Sequence, residues 1–127
     1  MDQQAGGRFF REAWITGVKR HYPGTPKPGY IASWSEMFQW EQESAIAVYE
    51  QVRQFVLVTG GKTKHLGQEQ KGRFVCICWI GQIFKHFSQP KESYIANWEQ
   101  LPEWQRETDV DIFEAIEESV LQEAAQV

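Results

Sequence analysis

Lys19-Arg20-His21 is followed within a short loop by Tyr30 and Trp34, and Lys85-His86 is followed in the same way by Tyr94 and Trp98. Cations beside aromatic rings are the groups that hold a nucleotide: the ring stacks on a base, and a guanidinium offers forked donors to phosphate. Arg8 and Arg73, further upstream, add one more cation to each stretch. The candidate ligand-binding set is therefore Arg8, Arg20, His21, Tyr30 and Trp34 together with Arg73, Lys85, His86, Tyr94 and Trp98. A plainer role stands beside each. The histidines fall where a helix would end, and an imidazolium there caps the helix dipole. The tyrosines and tryptophans would then staple the loop to that helix.

Other chemistry finds little foothold. There is no Gly-rich phosphate loop, G-x-S-x-G or H-E-x-x-H, and no nucleophile stands near a recognisable base. VTGGK (58–62) lacks the phosphate-loop spacing. A metal would need three or four converging ligands, and two histidines without a cysteine cluster do not provide them. No enzyme activity, metal or cofactor is expected. Cys76 and Cys78, two apart on a helix, point in different directions and read as small buried hydrophobes in a reduced compartment.

The chain is 42% apolar and 14% aromatic, a composition that folds. Its net charge of −4 argues against a general nucleic-acid binder. Residues 1–64 carry 8 Lys/Arg against 6 Asp/Glu, and residues 65–127 carry 5 against 11. Such an acidic excess is the ordinary solvated face of a helix. The longest apolar run, FVCICWIGQIF (74–84), falls short of the roughly 20 residues a membrane span needs and reads as a deeply buried helix. MDQQAGGRFF has no secretory pattern, so a cytoplasmic protein without a membrane partner is expected.

The elements that must position the candidate residues are written twice. GRFFREAWITGVKRHYP (7–23) aligns with GRFVCICWIGQIFKHFS (72–88) at an offset of 65, with 6 identities. Residues 30–56 align with 94–120 at an offset of 64, with 8 identities, giving 14 in 44 positions overall. The six tryptophans form three matched pairs: Trp14/Trp79, Trp34/Trp98 and Trp40/Trp104. Each copy reads as helix, proline- and glycine-broken loop, helix. Neither can bury its apolar face alone. The expectation is an all-α single domain, 1–127, built by tandem duplication. Repeat 1 would be 1–58, the connector 59–65 and repeat 2 66–124, with four main helices about a pseudo-two-fold axis. Agreement between the copies also singles out Glu43/Glu107 and Glu50/Glu114, read as helix-surface pairs or acceptors for indole N–H groups.

A first helix ending near a histidine, then a loop and an aromatic, then WEQLPEWQRETDVDIFEAIEESV (98–120), resembles the RyR repeat. This is the small module named after ryanodine receptors and also found in bacterial and phage proteins. WSEMFQWEQESAIAVYEQV (34–52) is the weaker counterpart, without the Leu-Pro. The family's tryptophan- and glycine-rich hairpin has no counterpart in PGTPKPG or SQPKES. The resemblance implies a non-catalytic module that binds adenine nucleotides or related ligands, or that mediates protein contacts. The first expectation is thus a protein that binds, and by binding sequesters, an adenine- or ADP-ribose-type nucleotide. The alternative is a protein–protein interaction module with no small-molecule ligand. The two differ in whether the polar residues shared by the copies converge in a concavity.

Overall fold

The computed structural model describes residues 2–126 and is all-helical among them, with four long helices packed together. These are α1 (Gln3–His21), α2 (Gln39–Val58), α3 (Gln68–His86) and α4 (Glu103–Ala125). The α1–α2 loop holds two 3₁₀ turns, Pro28–Ile31 and Trp34–Glu36, and the α3–α4 loop holds their counterparts, Glu92–Ile95 and Trp98–Gln100. A third kind of turn, Lys62–His65, lies in the connector.

Local chemistry sets the ends. Asp2 caps α1, its carboxylate accepting from the backbone N–H groups of Gln4 and Ala5 at 2.8 Å each. Gly60 and Gly61 close α2 with positive φ angles of 62° and 83°. Gly61 N–H donates to the Val56 carbonyl and Gly60 N–H to that of Leu57, each at 3.0 Å, the paired bonds of a Schellman motif. Inside the loops, Glu36 accepts from the Ser33 backbone N–H, and Gln100 accepts from that of Asn97. The two occupy the same position of the repeat; Asn97 Oδ1 accepts in return from the Gln100 backbone N–H, whereas the Ser33 hydroxyl donates to the Glu36 carboxylate.

One apolar cluster joins all four helices through Phe10, Val48, Tyr49, Val52, Val75, Ile112, Phe113 and Ile116. Each loop is fixed to the first helix of its own copy by a tryptophan seated on a glycine. Trp34 lies against Gly7, where an added Cβ would stand 2.5 Å from Cη2, and Trp98 lies against Gly72 even more tightly. Arg8 and Arg73 cover these two rings at 5.8 and 5.9 Å from their centroids.

The second helix of each copy then reaches into the other copy. Trp104 packs on Trp14, Tyr22 and Tyr30 of the first half, with Tyr22 at 4.9 Å between centroids. Trp40 packs on Trp79, Phe87 and Tyr94 of the second, with Phe87 at 5.0 Å.

The exchange is unequal in two places. Gly17 lets α1 approach α4 until a Cβ there would be 2.7 Å from Thr108. Its counterpart on α3 is Gln82, whose buried Oε1 finds no partner, and the Thr108 counterpart, Ser44, has a buried hydroxyl in the same condition. α3 is less engaged with α2 than α1 is with α4. Nor is α3 deeply buried all round, which corrects the reading of its apolar run: Ile77 is 62% and Phe84 56% exposed, at positions whose α1 counterparts, Glu12 and Lys19, also face solvent.

The second difference lies in the core. Lys71, 4% exposed, is paired at 2.9 Å with Glu117, 1% exposed, and lies over the Phe113 ring. In the first copy these positions are Gly6, pressed against Tyr49, and Arg53.

Gly72→Ala should force Trp98 off its seat and cost about 1–3 kcal/mol by overpacking, read as a lowered thermal midpoint. For the buried pair, Lys71→Met alone should cost about 3–5 kcal/mol by stranding Glu117. Lys71→Met with Glu117→Leu should recover most of that loss, as denaturant titration of the three proteins would show.

Candidate functional site

The ten candidate residues divide between the two ends of the first helices. Trp34 is held at Gly7 and His21 ends the same helix fourteen residues on, so about 21 Å of helix separates them. Arg8 covers Trp34 and is bonded to Gln4. Arg73 covers Trp98 and binds Glu99 at 2.6 Å and Glu69 at 3.3 Å. That bond from Arg73 holds the Glu99 carboxyl below the usual range. Both arginine–tryptophan pairs thus use their faces on one another.

At the other end His21 meets two carboxylates from α4, Asp111 at 2.7 Å and Glu107 at 3.2 Å. Arg20, largely exposed, lies 3.9 Å from the same Asp111. His86 has only Glu43, at 3.9 Å, because the counterpart of Asp111 on α2 is Ala47. Its Nε2 is buried without a hydrogen-bond partner. Lys85 points to solvent. Glu43 and Glu107 therefore serve the histidine of the opposite copy, a role beyond the helix-surface or indole contacts expected of them. The indole N–H of Trp14 donates instead to the Tyr30 carbonyl at 2.8 Å.

Tyr30 and Tyr94 close the aromatic cups that receive Trp104 and Trp40. Each cup takes its tryptophan from the other copy, so the cluster of one copy's own cation, tyrosine and tryptophan does not assemble.

Two open clefts run along the surface. One, of about 470 Å³, is lined by Gln4, Ser35, Met37, Gln39, Gln42, Glu43 and Ile46, and holds none of the ten. The other, of about 490 Å³ between α1 and α4, includes Arg20 but also Glu12, Asp111 and Glu114. Carboxylates outnumber the cation, which suits a phosphate poorly. Among the described residues, no group of three His, Cys, Asp or Glu side chains could hold a metal ion. No helix among them is long and apolar enough to cross a membrane.

Several polar residues that matter to the structure stand outside the sequence-derived set. Buried Arg11 ties down the first loop, donating to the carbonyls of Ala32 and Gly29 at 3.0 Å each. Its counterpart, Cys76, makes only a long contact of 3.9 Å to the Ala96 carbonyl. Burial pushes the Cys76 and Cys78 thiols up to about 11, so both are neutral and unreactive at physiological pH. Asp109 is buried where α2 carries Ala45, and desolvation raises its carboxyl well above the usual range. A cue to these residues was present in the sequence: each is polar or charged in one copy where the other has a different class of side chain.

Comparisons with protein-family models, curated proteins and solved structures return no match for this chain. The class is set by the architecture: a four-helix, internally repeated all-α protein.

Asp109 gives a pH prediction. The unfolded chain releases this proton at about pH 4, while the folded chain keeps it. The folded state thus binds more protons as pH rises above that value, and stability falls until the buried group ionises. Asp109→Asn should therefore raise the thermal midpoint at about pH 7 and gain much less at about pH 3.5. An equal gain at both values would count against burial as the cause.

Proposed function

We propose that this chain is a non-catalytic protein-interaction module whose contact surface is the outward face of α3. The observation that carries the reading is the apolar pair Ile77 and Phe84, exposed on the second copy where the first has Glu12 and Lys19. The duplicated fold tolerates polar residues at these positions, so their apolar character serves something other than packing the chain itself. The nucleotide reading is less well supported. The cations it needs lie at separate ends of the helices, paired with carboxylates, covering tryptophans or free in solvent. The RyR-like elbow enters this proposal as scaffold: Trp98 and Leu101 are buried, and Trp104 locks the two halves together. That resemblance is compatible with the protein-contact side of the family's behaviour.

Two measurements test the proposal. Linear and cyclic adenine nucleotides and ADP-ribose at millimolar concentration should leave the thermal midpoint unmoved. A true ligand at a hundred times its dissociation constant would add about 2.7 kcal/mol, and a saturable shift lost in Arg8→Ala or Arg73→Ala would restore the nucleotide reading. Ile77→Ser with Phe84→Ser should keep helicity and stability within about 0.5 kcal/mol per site. A sharp loss would make the face part of the fold and end the interaction proposal.

A further inference from the structure

Resting on the interaction reading, we infer that the partner seated on α3 is a second copy of the same chain, its α3 running antiparallel across a two-fold. The exposed stripe of α3 is Gln70, Arg73, Ile77, Gly81 and Phe84, at the three- and four-residue spacing of one helix face. Gly81 sits between its two apolar residues. An added Cβ there would meet nothing within 4 Å, and φ at this position is not positive, so neither packing nor backbone geometry within the chain calls for glycine. Glycine inside a helix is unfavourable by about 1 kcal/mol relative to alanine. Its use is explained when another backbone must come close. The counterpart on α1 is Thr16, flanked by Glu12 and Lys19, so the feature belongs to the second copy alone.

The stripe is complementary to itself. An antiparallel crossing at Gly81 sets Ile77 of one chain opposite Phe84 of the other, twice, with the two glycines face to face. Charge favours the same orientation. The N-terminal end of α3 bears Glu69 and, beside it, Glu99, with Arg73 between them. The C-terminal end bears Lys85 and, just beyond, Lys91, whose ammonium lies over the Tyr94 ring beside the exposed Glu92; no ion pair engages either lysine among the described residues, and the end is net basic. An antiparallel pair places the acidic end of each chain against the basic end of the other and opposes the helix dipoles. Such a contact is isologous and closes at two chains.

The 127-residue chain should sediment at twice its own mass at about 100 µM, a concentration that populates a micromolar dimer. Ile77→Glu and Phe84→Glu should each weaken the dimer about a hundredfold or more while leaving helicity unchanged, and the thermal midpoint unchanged at dilutions where every variant is monomeric. Gly81→Cys should form an inter-chain disulfide on mild oxidation, whereas Glu12→Cys, the counterpart of Ile77 on α1, should not. A single-chain mass throughout the concentration range overturns the inference. So does a dimer that survives both glutamate variants and fails to cross-link at position 81. A monomer that also ignores nucleotides sinks the second copy as partner and leaves the interaction reading standing; a nucleotide-dependent shift sinks that reading whatever the mass.

Discussion

The structure hangs on a tryptophan resting on a glycine, made twice. Trp34 on Gly7 and Trp98 on Gly72 hold each loop hard against the start of its own first helix. The arginine following each glycine closes over the indole, so Gly-Arg-Phe and the distant tryptophan form one unit. A methyl group in place of hydrogen would displace the ring. With the loop anchored there, the second helix leaves in a direction that carries Trp40 and Trp104 into the opposite half.

Duplication followed by divergence explains the rest of the architecture. Contacts within the aromatic cups recur in matched pairs with similar centroid distances, as for Tyr22–Trp104 and Phe87–Trp40. Where the copies differ, several of the differences fall on α3. Gln82 stands where α1 has Gly17, and α3 meets α2 less extensively than α1 meets α4. Lys71 in place of Gly6 brings a buried charge, met by Glu117 where the first copy has Arg53. Ile77 and Phe84 in place of Glu12 and Lys19 leave an apolar face in water.

The helices and the repeat were legible because periodicity and paired tryptophans are properties of the chain read one position after another. Helix ends were legible too, in Gly60-Gly61 after α2 and in the prolines of the loops. The site was legible only as a set of residue types. Arg20, His21, Tyr30 and Trp34 are close in sequence, and nothing linear reveals that Trp34 folds back to Gly7 while His21 remains at the far end of α1. Nor does sequence proximity reveal that the partners of His21 are Asp111 and Glu107, some ninety residues away.

By itself, then, the sequence determined an all-α chain made of two like units, since hydrophobic spacing and helix-stopping residues act locally. The tertiary structure decided which partner each shared residue meets, because the second helices cross between halves and rearrange every neighbour beyond the loop. It also decided which side of α3 faces water. An apolar run has the same letters whether buried or bare; Ile77 and Phe84 stand at positions that face solvent in both copies, where the first copy carries Glu12 and Lys19.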